Sequence, residues 1–153
     1  MDEVKLTMAQ QIARAAGAFQ QQRTGRVPTS VTVVLSGDTL VVTLHDALTP
    51  AEQEMAKSPA GAARIQDFHR RLFSDSVDPL RQEIMKITGI EVRETAAEVD
   101  TTTGTVVHAF TNGTMVQVFL LARGMSQIAW DAEKPSATSE KDHSDNGKKK
   151  TLA

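Results

Sequence analysis

The chain has 153 residues, 40% apolar and 24% charged, with a formal net charge of −2. That is the length of one domain with enough apolar material for a core, and no bulk charge draws it to nucleic acid or anionic lipid. The absence of cysteine excludes disulfides, thiolate metal sites and a cysteine nucleophile.

Residues 1–22 have helical composition, with Leu6, Ala9, Ile12, Ala13, Ala16 and Phe19 recurring on one stripe. Gln10, Gln11, Arg14, Gln20 and Gln21 fill the opposite side. Gly25 is placed to end this helix in the left-handed conformation, and Pro28 prevents its continuation. Residues 31–35 and 40–44 are rich in β-branched side chains and flank Ser36-Gly37-Asp38-Thr39, which predicts a hairpin. Val31, Val33 and Leu35 share one face, as do Leu40, Val42 and Leu44. Val34 and Val41 fall on the second face with Thr32 and Thr43, so a homodimer that covers this face is expected.

Leu48-Thr49-Pro50-Ala51-Glu52 opens the next helix. Thr49 is suited to the N-cap, Pro50 to the first helical position, and Glu52 to the return bond of a capping box. Capping residues precede proline again at Ser58-Pro59 and Asp78-Pro79. The spacing predicts a short helix over 50–57 and a longer one over 59–88 that is kinked or restarted near Pro79. Its apolar stripe is Ile65, Phe68, Leu72, Leu80, Ile84 and Ile87, and Gly89 ends it. Residues 90–99 and 105–110 surround Asp100-Thr101-Thr102-Thr103-Gly104, a second hairpin signal, and Asn112-Gly113 suits a tight turn. Residues 115–121 read as a further antiparallel strand, with a helix over 115–123 as the competing reading. From about Asp131 the composition turns polar, ending near Lys148-Lys149-Lys150. The division is one α+β domain over 1–124 and a disordered tail over 125–153.

The histidines His45, His69, His108 and His143 are scattered, and no pair has metal-site spacing. His45-Asp46 reads as an exposed strand end, and His108 as a core or interface histidine. Glu52 and Glu54 project from different sides of a helix, and no nucleophile or phosphate loop accompanies them. No catalytic residue, metal or cofactor is implied, and the chain is expected not to be an enzyme. Arg64, His69, Arg70 and Arg71 form the basic cluster of the folded part, a candidate partner-binding face. Asp67 and Asp75 are spaced to pair with these arginines on the helix surface. The start of the chain lacks a signal-peptide pattern, and its most apolar stretch, 115–122, contains Gln117 and is far short of the ~20 residues that span a bilayer. A cytoplasmic location is expected.

The order of elements over 6–110 resembles the MpsC-like family of bacterial proteins. The resemblance is carried by Gly25 and Pro28, the Leu48-Thr49-Pro50-Ala51-Glu52 turn, Gly61, Thr88-Gly89 and Asp100. Val27 stands where the family usually has a second glycine. The family is named for a Na+-translocating, membrane-potential-generating system. The resemblance implies an accessory or regulatory protein with a membrane ion-transport component as partner, without a membrane span of its own. The alternative is a nucleic-acid-binding regulator that uses the Arg64, Arg70 and Arg71 face. The expected fold is α+β in the order helix–hairpin–helices–hairpin, with a mostly antiparallel sheet, helices on one face, and possible parallel pairing where the long helix crosses over.

Overall fold

A computed structural model describes residues 5–96 and 114–135. Strand β1 (Lys5–Leu6) leads into α1 (Met8–Thr24), followed by the hairpin β2 (Ser30–Ser36) and β3 (Thr39–His45). Three helices come next: α2 (Pro50–Met55), α3 (Pro59–Ser76) and α4 (Asp78–Thr88). Then come β4 (Val92–Ala96), β5 (Met115–Leu121), α5 (Gln127–Asp131) and β6 (Lys134–Pro135). The fold is α+β, as its residue pattern implies.

Helix α1 begins at Met8 rather than at the chain start. Thr7 caps it, accepting from the Gln10 N–H while the Gln10 side chain accepts from the Thr7 N–H. Leu6 is thereby left in β1, where it pairs with Lys134. Gly25 at φ 78° and Gly89 at φ 74° end α1 and α4 in the left-handed region, where a Cβ would be strained. The long helix does restart at the Asp78-Pro79 step, because Pro79 supplies no N–H to continue the α3 ladder. The β2–β3 turn places Gly37 at φ 62°, the backbone a two-residue hairpin loop requires.

Among the described residues the main sheet runs β2-β3-β5-β4, and every neighbouring pair is antiparallel. Residues 115–121 are a strand, not a helix. They alternate between buried and half-buried because one side faces the helices. The expected parallel pairing is corrected by the same strand: β3 and β4 point the same way but β5 lies between them and pairs with both. The strand expected over 105–110 lies outside the described residues, as do His108 and the 100–104 turn.

The core joins Met8, Ile12, Ala16 and Phe19 of α1 to Leu40, Val42 and Leu44 of β3 and Met115, Phe119 and Leu121 of β5. Leu80 and Ile84 close it from α4. Two expectations fail on helix phase. The buried face of α3 is Ile65, Gln66, His69 and Phe73, while Phe68 is 51% exposed. Gln11 and Gln20, assigned to the outer side of α1, are buried. Each donates inward, Gln11 Nε2 to the Leu6 carbonyl at 3.2 Å and Gln20 Nε2 to Met115 Sδ at 3.5 Å.

Residues 126–135 also differ from expectation. Ser126 caps α5, Trp130 is 5% exposed within the core, and β6 pairs with β1. One large aromatic outweighs its polar neighbours, since burying it removes 150–250 Å² from water. Residues 136–153 lie outside the described part.

Two glycines should respond in opposite ways to alanine. A Cβ on Gly17 meets Val31 Cγ2 at 3.8 Å, an ordinary contact inside a helix. Gly17→Ala is expected to stabilise by about 0.5–1 kcal/mol in denaturant melts. A Cβ on Gly61 falls 1.8 Å from the Met55 carbonyl oxygen. Gly61→Ala must push α2 and α3 apart and should destabilise by roughly 3 kcal/mol.

Candidate functional site

The Thr49–Glu52 turn is fixed from below before it makes any functional contact. Ala47 and Leu48, which lead into it, are fully buried. Asp46 adopts φ 55°, unusual for a residue with a side chain, and is held by three bonds. Arg26 donates through Nη2 to Asp46 Oδ2 at 2.5 Å and through Nε to the Asp46 carbonyl at 3.1 Å. Gln53 Nε2 reaches Asp46 Oδ1 at 3.3 Å and the Leu48 carbonyl at 3.2 Å. The segment 25–28 thus contributes its arginine to the turn, and Val27 beside it is exposed.

The cap forms as its residues require. Glu52 N–H donates to Thr49 Oγ1 at 3.2 Å, and Thr49 N–H donates to Glu52 Oε1 at 3.0 Å. Glu52 has a second oxygen, and Oε2 lies 2.5 Å from Nε2 of His69. The His69 side chain is 2% exposed and that of Glu52 14%. His69 Nε2–H donates to the carboxylate, so one glutamate joins the start of α2 to the middle of α3. The Phe68 ring stands edge-on to the His69 ring, with centroids 5.1 Å apart.

Beside this pair opens a groove of about 530 Å³. Met55, Ile65 and Phe68 give it an apolar wall, and Arg23, Arg64 and Glu52 give it charge. Met55 is 47% exposed and Phe68 51%, so two large apolar side chains face solvent at one place. Arg23 lies 4.7 Å over the Phe19 ring and donates to the Ser76 carbonyl at 3.4 Å. Among the described residues neither Arg23 nor Arg64 forms an ion pair with a carboxylate. Beneath the groove, Gln20, His69 and Gln117 surround a void of about 10 Å³, and Gln117 is 1% exposed.

The basic cluster predicted on α3 is not one face. Arg64 turns to the groove and His69 to the interior. Arg70 is half-buried, and Arg71 pairs with Asp67 at 3.1 Å across one turn. Glu54 pairs with Lys57 at 2.9 Å on the surface, away from the buried carboxylate. His45 lies at the strand end, its Nε2 3.3 Å from Thr32 Oγ1. Among the described residues no three acidic or histidine side chains gather as a metal site. The Glu52–His69 contact joins residues 17 positions apart, which no local pattern signals. The i, i+4 series Ile65, His69, Phe73 was the available sign that His69 faces inward.

With this geometry in hand, known proteins place the chain. Residues 4–113 match the family described as Na+-translocating membrane potential-generating system (MpsC). The chain belongs to the MpsC family. The match contains the Thr49–Glu52 turn, Gly61, His69 and the groove. The uncharacterized protein YbcI of Bacillus subtilis is 27% identical over 110 residues, 72% of this chain and 89% of its own length. No solved structure matches significantly. Among the described residues of this MpsC member, no helix is long and apolar enough to cross a membrane.

The two bonds of Glu52 can be separated by mutation. Thr49→Ala removes one cap bond and should cost about 1 kcal/mol. His69→Ala leaves a buried carboxylate oxygen without its partner and should cost about 3 kcal/mol. A double-mutant cycle between Glu52→Gln and His69→Ala should give a coupling above about 1 kcal/mol in urea melts; additive effects would contradict the pairing.

Proposed function

We propose that this MpsC-family chain is a non-enzymatic accessory or regulatory protein of a membrane Na+-translocating system, working at the cytoplasmic side and as a homodimer. The observation that carries the reading is the family match over residues 4–113. Support comes from the groove beside Glu52 and His69. There, Met55, Phe68 and Arg64 are exposed to a partner, while Arg23 is engaged with Phe19 and the Ser76 carbonyl and Glu52 with the cap and His69. Such a patch, apolar at its centre and cationic at its margin, suits an acidic, partly apolar segment of a membrane component.

The alternative of nucleic-acid binding has less support, since Arg70 is half-buried and Arg71 is paired with Asp67. Phosphate tracking needs several cations on one accessible face.

A tagged chain mixed with detergent-solubilised membranes should capture an integral component of a Na+-translocating system. The double variant Arg64→Glu, Phe68→Ala should reduce that capture about tenfold, the equivalent of 1.4 kcal/mol. Its circular dichroism should match the parent's, with the melting temperature lowered by only a few degrees through loss of the Phe68–His69 ring contact. Recovery of soluble proteins alone would contradict the reading.

A further inference from the structure

The outward face of the main sheet does not look like a surface made for water. In an antiparallel sheet with helices on one side, outward positions are ordinarily polar. Here the register aligns Val34, Val41, Val118 and Ala96 in one row across all four strands. The row beside it is Thr32, Thr43 and Val116, and the row on the other side is Ser36, Thr39, Leu120 and Glu94. None of Val34, Val41, Val116, Val118 or Leu120 belongs to the core cluster, which takes the opposite face of the same strands. Val34 is 54% exposed, and the other four are half-buried by their neighbours within the sheet. At these paired positions a single carboxylate, Glu94 opposite Leu120, stands at the margin, and no lysine or arginine occurs.

We infer that this face is the homodimer interface, covered by the same face of a second copy across a twofold axis. The inference deepens the homodimer reading above by naming its surface, and it does not depend on the membrane partner. Three properties select a second copy. First, the surface is even in height, because β-branched residues of similar size fill it, and two such sheets pack face to face about 10 Å apart. Second, a twofold contact requires one patch to complement itself, which a surface with valine and threonine at its centre does, its titratable groups Glu94 and His45 standing at the margins. Third, the area suffices. Three strands of seven residues and one of five, at about 3.3 Å per residue and about 4.8 Å between strands, project about 410 Å² per copy. A pair therefore removes on the order of 1,000 Å² of accessible surface, the size at which specific interfaces begin. A single helix about 10 Å wide would leave half of the strands uncovered. A lipid surface would call for lysine or arginine around the patch, and the paired positions have none.

The test is the mass of the full chain in solution and its response to charge on this face. Light scattering at about 100 μM should give twice 16.6 kDa, and sedimentation on dilution should give the dissociation constant. Val34→Lys and Val118→Lys should each raise that constant at least a hundredfold, since both place an ammonium in an apolar contact. Val34 lies on an edge strand and is already exposed, so Val34→Lys should keep the far-ultraviolet circular dichroism of the parent. That variant decides the matter even if Val118→Lys fails to fold. A parent chain that is monomeric at every concentration overturns both the interface and the homodimer reading. A Val34→Lys protein that dimerises as tightly as the parent overturns the interface alone and leaves the dimer standing elsewhere. Binding of the monomer to phospholipid vesicles through this face, abolished by Val34→Glu, would overturn it in favour of a lipid surface.

Discussion

Much of this molecule depends on how one carboxylate divides its two oxygens. Glu52 Oε1 accepts from the backbone of Thr49 and so completes the start of α2, while Oε2 accepts from His69 in the middle of α3. The two helices are thereby held at a fixed angle by a residue whose local role is only to cap. At the other end of α2, the Met55 carbonyl lies so close to Gly61 that no Cβ fits between them. An elbow pinned at both ends keeps Met55 and Phe68 on the same side, which is the condition for the groove. A cap alone could be replaced by any good capping residue at small cost. A cap that also accepts a hydrogen bond from a buried histidine cannot.

The interior beneath that elbow is more polar than the strand and helix patterns suggest. Gln20, Gln66, His69 and Gln117 come from α1, α3 and β5 and are all nearly inaccessible. Buried amides and imidazoles are tolerated only where their hydrogen bonds are supplied, and in return they fix one arrangement of the elements around them. Gln20, His69 and Gln117 line the small void beneath the groove; Gln20 donates to Met115 Sδ and His69 to Glu52, while among the described residues Gln117 Oε1 has no hydrogen-bond partner.

Besides Val27, Met85 and Ile128, which are exposed singly, apolar side chains outside the core gather in two separate places, the groove and the open sheet face. The first combines aromatic and thioether groups with arginines; the second is uniform in valine and threonine. Their chemistry differs in the way that surfaces for a foreign partner and for a second copy differ. The groove lies on the helical side of the sheet and the valine row on the opposite side.

The sequence by itself determined many element boundaries through local residues, although its apolar periodicity does not reveal the Thr7 cap that starts α1 or the Ser126 cap that starts α5. Thr49 and Glu52, Gly25, Gly37 and Gly89, and the prolines at 50, 59 and 79 act through bonds within a few residues, so their consequences can be read without knowing the rest of the chain. It also carried the alternation in β3 and β5, because period two survives in any sheet. Tertiary structure decided what those elements face. Ile65, Phe68 and Leu72 form as plausible a stripe as Ile65, His69 and Phe73; the packing of Phe73 against Phe119 of β5 and the Glu52 carboxylate that meets His69 make the second one the inner face. The insertion of β5 between β3 and β4, and the burial of Trp130 after a polar stretch, were likewise settled by contacts between distant segments. Local hydrogen bonds fix a backbone within one turn, whereas the direction in which a helix turns its faces depends on the side chains that come to meet it.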